Sequence, residues 1–273
     1  GTTGAPLDVP LTAGDLDRLA ENEAVALAIA GLGRGDLFLL AVGMERLFVA
    51  GLAYHLGARA LGAACVRVGP RMAAEPELLR HLATRLADAR QRVFVIAVPS
   101  FLHEVAAPEE PLAGIIGIGE PTRCAAGAPT DLAARLSARF SCPVMSTYAL
   151  TETCATFAEG PRCVGGHLNP TLATVEIIDP ETGDVLADAS GHDGATIGPG
   201  EVVITPLGVE GMPLLRFRTG DIACLTTAAC ACGRTTPRLG PILGRRQQLL
   251  KIRGTNVYPA AITEALRAIP AIL

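Results

Sequence analysis

Over residues 11–145 the apolar positions switch between two periods. Short apolar runs at 38–42, 64–68, 93–98 and 114–118 are bounded by Gly or Pro, which predicts four buried strands. Between them, residues 45–61 and 75–89 carry apolar side chains at three- and four-residue intervals, which predicts helices laid over a mostly parallel sheet. Thr12, three residues ahead of Asp15, marks a helix start. Past Gly160 the texture becomes β-branched. The runs 174–178 and 201–205 flank the turn-forming sequence Asp179-Pro180-Glu181-Thr182-Gly183, so this half is expected to be mainly strands. The stretch 187–200 is rich in Gly, Asp and Ser and reads as an exposed loop. The expected class is α/β: a parallel-sheet subdomain followed by a β-rich one. No internal repeat is evident.

Composition narrows the functions. A chain of 273 residues, 49% apolar, can bury a sizeable core as one large domain or two smaller ones. Its 23 basic and 27 acidic residues leave a formal charge of −4 with no Lys/Arg run, which argues against a nucleic-acid partner. The most apolar region, 24–68, is broken by Arg34, Asp36, Glu45, Arg46 and Arg59, so a membrane span is not expected. Eight cysteines in a chain of this length do not form a secreted disulfide pattern, and a reducing, cytoplasmic setting is expected. The first residue is Gly, and the opening looks like the inside of a motif, so the chain reads as a portion of a longer protein.

Four segments carry chemistry. Gly1-Thr2-Thr3-Gly4 has glycines that let a backbone approach an anion and hydroxyls that donate to it; a polar turn is the alternative. Tyr148-Ala149-Leu150-Thr151-Glu152-Thr153 follows a predicted strand, so a hydroxyl and a carboxylate emerge at its C-terminal end, where open α/β sheets place ligands. Glu152 is a hard oxygen ligand suited to nucleotide-bound magnesium, and Thr151 can donate to phosphate. Arg216-Phe217-Arg218-Thr219-Gly220-Asp221 ends a strand in a carboxylate able to accept from two hydroxyls. Arg245 adds a fixed cation and Lys251 a point charge.

Two further pairs, Cys163 with His167 and Cys230 with Cys232, have spacings at which both ligands can meet one ion. Together they offer a closed tetrahedral Cys3His zinc site with no open position for substrate. Reduced, buried cysteines beside a surface histidine are the alternative. Cys224 is a substitute ligand, while Cys65, Cys124, Cys142 and Cys154 read as packing residues.

In this order, together with Cys-Gly-Arg-Thr after Cys230 and Lys-Ile-Arg-Gly at 251–254, the motifs resemble those of phenylacetate-CoA ligases within the adenylate-forming superfamily. The resemblance runs across nearly the whole chain. It implies ATP-dependent conversion of an aromatic acid to an acyl-adenylate and transfer to CoA, with Thr2 and Thr3 on the phosphates, Glu152 on magnesium, Asp221 on the ribose and Arg245 beside it. Gly119, Glu120, Pro121 and Tyr148 would frame the adenine, and Tyr54, His55 and 149–153 would border the aryl group, with Ala149 at its floor. Thr151, Glu152 and Lys251 would be catalytic.

On that reading residues 1–160 hold the phosphate loop, acyl pocket and adenine site, 161–246 the ribose carboxylate and zinc, and 247–273 the hinge and the start of a mobile C-terminal domain. Gln247 and Gln248 stand where relatives usually carry Asp, which alters the hinge, and the family's usual adenylation lysine falls beyond Leu273. A carrier-protein thiol or an amine as acceptor stays open, as does a homodimer. So does a non-catalytic nucleotide-binding or zinc-scaffold role, although Glu152, Asp221 and Arg245 together argue against the last.

Overall fold

The computed structural model describes residues 7–44, 49–69, 77, 78, 81, 82, 91–109, 111–188, 194–252, 255–267 and 269. The expected phosphate-loop residues Thr2 and Thr3 lie outside these, as does most of the helix expected at 75–89.

Helix α1 (Ala13–Ile29) begins where the sequence says. Thr12 Oγ1 accepts from the Asp15 backbone N–H at 3.1 Å while Asp15 Oδ2 accepts from the Thr12 N–H at 2.9 Å, so two otherwise unpaired donors satisfy each other's side chains. Helix α2 (Val49–Leu61) packs on α1. Strands β1 (Leu37–Leu40), β2 (Ala64–Arg67), β3 (Val93–Ala97) and β4 (Gly114–Gly117) pair in parallel in the order β2-β1-β3-β4. Phe38, Leu39 and Leu40 are fully buried because helices cover both faces of this sheet. Strand β2 departs from expectation: among the described residues it has β1 alone as neighbour, and its side chains are exposed or half-buried.

Short helix α3 (Pro99–Leu102) follows β3, and α4 (Asp131–Phe140) precedes β5 (Val144–Leu150). Strand β5 joins two kinds of sheet. Val144 to Ser146 pair in parallel with β4, and Thr147 to Leu150 pair antiparallel with β6 (Ala155–Ala158). Its last residues and the turn that follows are thereby delivered to the junction.

Beyond β6 the sheet continues antiparallel through β7 (Gly166–His167), β8 (Ala173–Ile178), β9 (Val185–Asp188), β10 (Thr196–Pro206), β11 (Phe217–Thr226), β12 (Arg238–Leu239) and β13 (Gly244–Arg245). The exposed loop expected over 187–200 is shorter than that. Ala187 pairs in β9 and Thr196 in β10, because β10 accommodates its Gly and Pro at a bulge between Ile197 and Gly200. Strands β14 (Leu250–Ile252) and β15 (Thr255–Val257) form a separate hairpin before α5 (Pro259–Arg267). No helix among the described residues is long and apolar enough to cross a membrane.

The polar face of α1 is a second departure, since charged side chains ordinarily stay in water. Asp15, Arg18, Asn22 and Glu23 recur at helical spacing and are buried. Asp15 accepts from the backbone N–H groups of Glu210 at 2.8 Å and Gly211 at 2.9 Å. Arg18 donates to the carbonyls of Leu207, Cys154 and Leu172. This stripe binds the first helix to the β-rich half and carries its charges to the carbonyl and amide ends waiting there.

Candidate active site

At the junction lies a cavity of about 580 Å³. Its wall is built from β5, β6, the loop after β4, the faces of α1 and α2, and the segment from β12 to the 3-10 turn at Arg246–Gln248. Leu19, Val49, Ala50, Ala53 and Tyr54 make the α1/α2 side apolar, while Tyr148, Asp221 and Arg245 make the β11/β13 side polar.

On the β11/β13 side, backbone pairing sets Asp221 directly across from Arg245. Arg245 Nε lies 3.1 Å from Asp221 Oδ1, and the Tyr148 hydroxyl donates to Oδ2 at 2.7 Å. Burial pushes the Asp221 carboxyl up, and the Tyr148 and Arg245 donors oppose that rise. The same burial and the adjacent Asp221 carboxylate push the Tyr148 phenol up, keeping it a donor. Next door, Gly244 has φ of +153°, and a Cβ there would lie 2.4 Å from the Tyr258 ring, so only glycine lets the segment around Tyr258 pack against this wall.

The loop after β4 supplies Gly119, Glu120 and Pro121 to the wall. Glu120 itself is engaged outward, accepting from the Ser100 N–H at 2.8 Å and hydroxyl at 2.7 Å, which fixes the loop on the start of α3. Thr122 is buried in the wall, and its Oγ1 has no partner among the described residues. Arg123 Nε donates to Glu159 Oε2 at 3.0 Å and its Nη2 to the Cys163 carbonyl at 3.2 Å.

The α1/α2 side holds a different carboxylate. Glu23 Oε1 accepts from the Thr156 hydroxyl and from Asn22 Nδ2, while Oε2 has no hydrogen-bond partner among the described residues. Burial raises its carboxyl to about 7. Tyr54 approaches Thr147 Oγ1 at 3.3 Å, and that hydroxyl donates to the Gly117 carbonyl at 3.0 Å.

Of the residues named from sequence, Tyr54, Gly119, Glu120, Pro121, Tyr148, Ala149, Thr151, Asp221 and Arg245 share this wall. His55 and Thr153 do not. His55 follows Tyr54 on α2 but does not line the cavity. Thr153 is fully buried in the turn after β5, its hydroxyl donating to the Leu150 carbonyl. Glu152 is half-buried on the same turn, adjacent to the wall rather than in it. Lys251 lies in β14 and pairs through its backbone with Asn256. Glu23, Thr122, Arg123, Thr147, Thr156 and Glu159 were not anticipated. The helical spacing of Asp15, Arg18, Asn22 and Glu23 carries a signal for the first; Arg123 and Glu159 meet only through strand pairing.

Away from the cavity, Cys163, His167, Cys230 and Cys232 bring their ligand atoms within 4.8 Å of one another. Cys163 Sγ and Cys230 Sγ are 3.5 Å apart, and Cys232 Sγ is 3.4 Å from His167 Nε2. Thr236 occupies His167 Nδ1 at 2.7 Å, which leaves Nε2 turned to the thiols, as an outer partner does for a metal-bound imidazole. Burial, with Arg238 and Arg234 nearby, lowers His167 to about 4, so the ring is neutral at physiological pH. The donor set fits a tetrahedral structural zinc, and Cys224 lies outside it.

No protein-family model matches the chain. It is 36% identical over its full length to a phenylacetate-coenzyme A ligase of Thermus thermophilus, spanning 59% of that protein. It is 31% identical over 97% of its length to one from Aromatoleum evansii, spanning 58% of that protein. Among solved structures, a 2-hydroxyisobutyryl-CoA ligase in the postadenylation state, in complex with 2-HIB-AMP, superposes with a TM-score of 0.78 at 24% identity, over 99% of this chain and 56% of that one. The chain thus spans somewhat over half the length of these relatives. In sequence the chain is similar to phenylacetate-CoA ligases, and its fold matches just over half of the 2-hydroxyisobutyryl-CoA ligase structure.

Proposed function

We propose that the protein activates an aromatic carboxylic acid with ATP and passes the acyl group to CoA. The observation that carries this reading is a two-sided cavity: an apolar side fit for an aryl group runs into a side where Asp221 and Arg245 stand paired. The names of the similar proteins agree with it.

The acid's carboxylate oxygen attacks the α-phosphorus of ATP, the bond to the bridging oxygen breaks, and pyrophosphate leaves. The thiol sulfur then attacks the acyl carbon, and AMP leaves. Little covalent work falls to the protein, which positions the reactants and neutralises charge. Asp221 accepts from the ribose hydroxyls; a carboxylate has about four lone-pair directions, and Tyr148 and Arg245 use two. Arg245 stands by the ribose and phosphates. Gly119, Glu120, Pro121 and Tyr148 frame the adenine, and Tyr54 and Ala149 border the aryl group. Thr151, Thr2, Thr3 and Lys251 serve the phosphates, and Glu152 holds magnesium. The Cys3His group holds zinc, which ties the loop after β6 to the loop before β12 and supplies no chemistry to the reaction. Eight free thiols suit a reducing, cytoplasmic location.

Pyrophosphate release with aryl, fatty and amino acids tests this. Release is expected only with aromatic acids. Preference for long-chain fatty acids, or acid-independent release, would overturn it.

A further inference from the structure

Glu23 has a place in the wall that the ligase reading does not use. A buried carboxylate ordinarily has a cation or a full set of donors, because leaving an acceptor unpaired costs about 1–3 kcal/mol or more. The nearest arginine of its own helix, Arg18, is spent on three carbonyls. Thr156 and Asn22 satisfy Oε1, and Oε2 is left without a partner among the described residues. The side chain cannot relax outward: it is 3% exposed, and it is wedged against α2, where a Cβ on Gly57 would lie 2.4 Å from the Glu23 Cβ. Its surroundings in the cavity are the apolar Leu19 and Ala53 together with Tyr54 and Thr156.

The acceptor is therefore held, desolvated, in the wall of the part of the cavity that suits an aryl group. We propose that Glu23 is a specificity-determining residue that accepts a hydrogen bond from an amino or hydroxyl substituent on the ring of the acid. This rests on the ligase reading for the identity of the ligand and goes beyond it in substrate class: amino- or hydroxy-substituted aryl acids over unsubstituted and alkyl-substituted ones. A pocket built around a buried acceptor rejects the analogue that lacks the donor, since that analogue leaves the acceptor unpaired. Thr156 is a positioning residue here. Its hydroxyl donates to Oε1 and fixes the carboxylate's orientation.

Equilibrium binding tests this without turnover. Aminobenzoic and hydroxybenzoic acids are titrated into the protein beside their methylbenzoic isosteres. At pH 8, where the Glu23 carboxyl is ionised, the donor-bearing acids should bind wild type roughly ten- to a hundredfold tighter, the range of a hydrogen bond to a charged group. In Glu23→Gln that ratio should fall to about threefold or less, and Thr156→Val should give an intermediate ratio; melting curves confirm folding of both. Equal binding of isosteres by wild type, or a ratio that survives Glu23→Gln, overturns the proposal. Pyrophosphate release with the same acids separates the two readings: release without discrimination overturns the role of Glu23 alone, and selective binding with no release overturns the ligase reading alone. No binding of any acid by wild type counts against both.

Discussion

Two buried carboxylates face one cavity in opposite states. Asp221 has a donor on each oxygen, one of them a guanidinium held across a strand pair, and its place follows from backbone register. Glu23 has neutral donors on one oxygen and, among the described residues, none on the other, and its place follows from helix packing. The first is completed by the protein and can hold its geometry through a reaction cycle. The second is complete only when something else supplies a donor. On the proposed function, the difference separates a part that serves whatever acid is bound from a part that chooses among acids.

The broadest way to disturb both at once is through the proposed zinc site, Cys163, His167, Cys230 and Cys232. The Cys163 carbonyl accepts from Arg123, which also pairs with Glu159 in the cavity wall, so the cluster braces a segment common to the two sides. Structural zinc contributes on the order of ten kcal/mol in small domains, and a fraction of that exceeds what a marginally stable fold loses unnoticed. Chelation, or Cys232→Ser, is expected to lower the melting temperature by several degrees or more and to weaken binding of both nucleotide and acid. Zinc content by elemental analysis beside thermal melts checks it; far less than one zinc per chain with unchanged melts would remove the brace.

Asp221→Ala isolates the completed side. It removes the proposed ribose acceptor and leaves Tyr148 and Arg245 without theirs, so kcat/KM for ATP is expected to drop by about two orders of magnitude, the range of one or two hydrogen bonds to a charged group, with little change in the affinity for the acid. A loss confined to the acid would reverse the assignment of the two sides.

The smallest expected effect is a pH slope. Glu23 stands at about 7 when folded against an ordinary value near 4.5. The unfolded chain therefore binds fewer protons than the native one between these values, and stability is fully present below about 4.5 and lost as pH rises through 7. The change is up to roughly 3 kcal/mol in the ligand-free protein. Thermal melts should fall from pH 5 to pH 8, and Glu23→Gln should flatten that part of the curve. A slope unchanged by the substitution would mean that Glu23 is solvated or paired.

What the sequence made legible was local. The Thr12–Asp15 cap, the apolar strand runs and the order of Tyr148, Asp221 and Arg245 are each written in a few adjacent residues. Cys163, His167, Cys230 and Cys232 were legible as two short pairs, and the structure brings them within 4.8 Å. Glu23 and Arg18 belong to no motif and drew no reading from the sequence, because their partners lie on β6 and in loops more than a hundred residues on. Strand β2 carries the apolar run of a central strand, and its edge position is set by sheet order alone. Arg123 and Glu159, 36 residues apart, have no shared motif and meet only once β5 and β6 pair.

The central claim is that this cavity forms an acyl-adenylate, and the fate of the α-phosphate tests it most directly. The protein is incubated with ATP labelled at that position, magnesium and an aromatic acid, without CoA. The label is expected in an acyl-adenylate that yields AMP when CoA is added. Label in ADP, or an AMP yield that ignores the acid, would contradict the account.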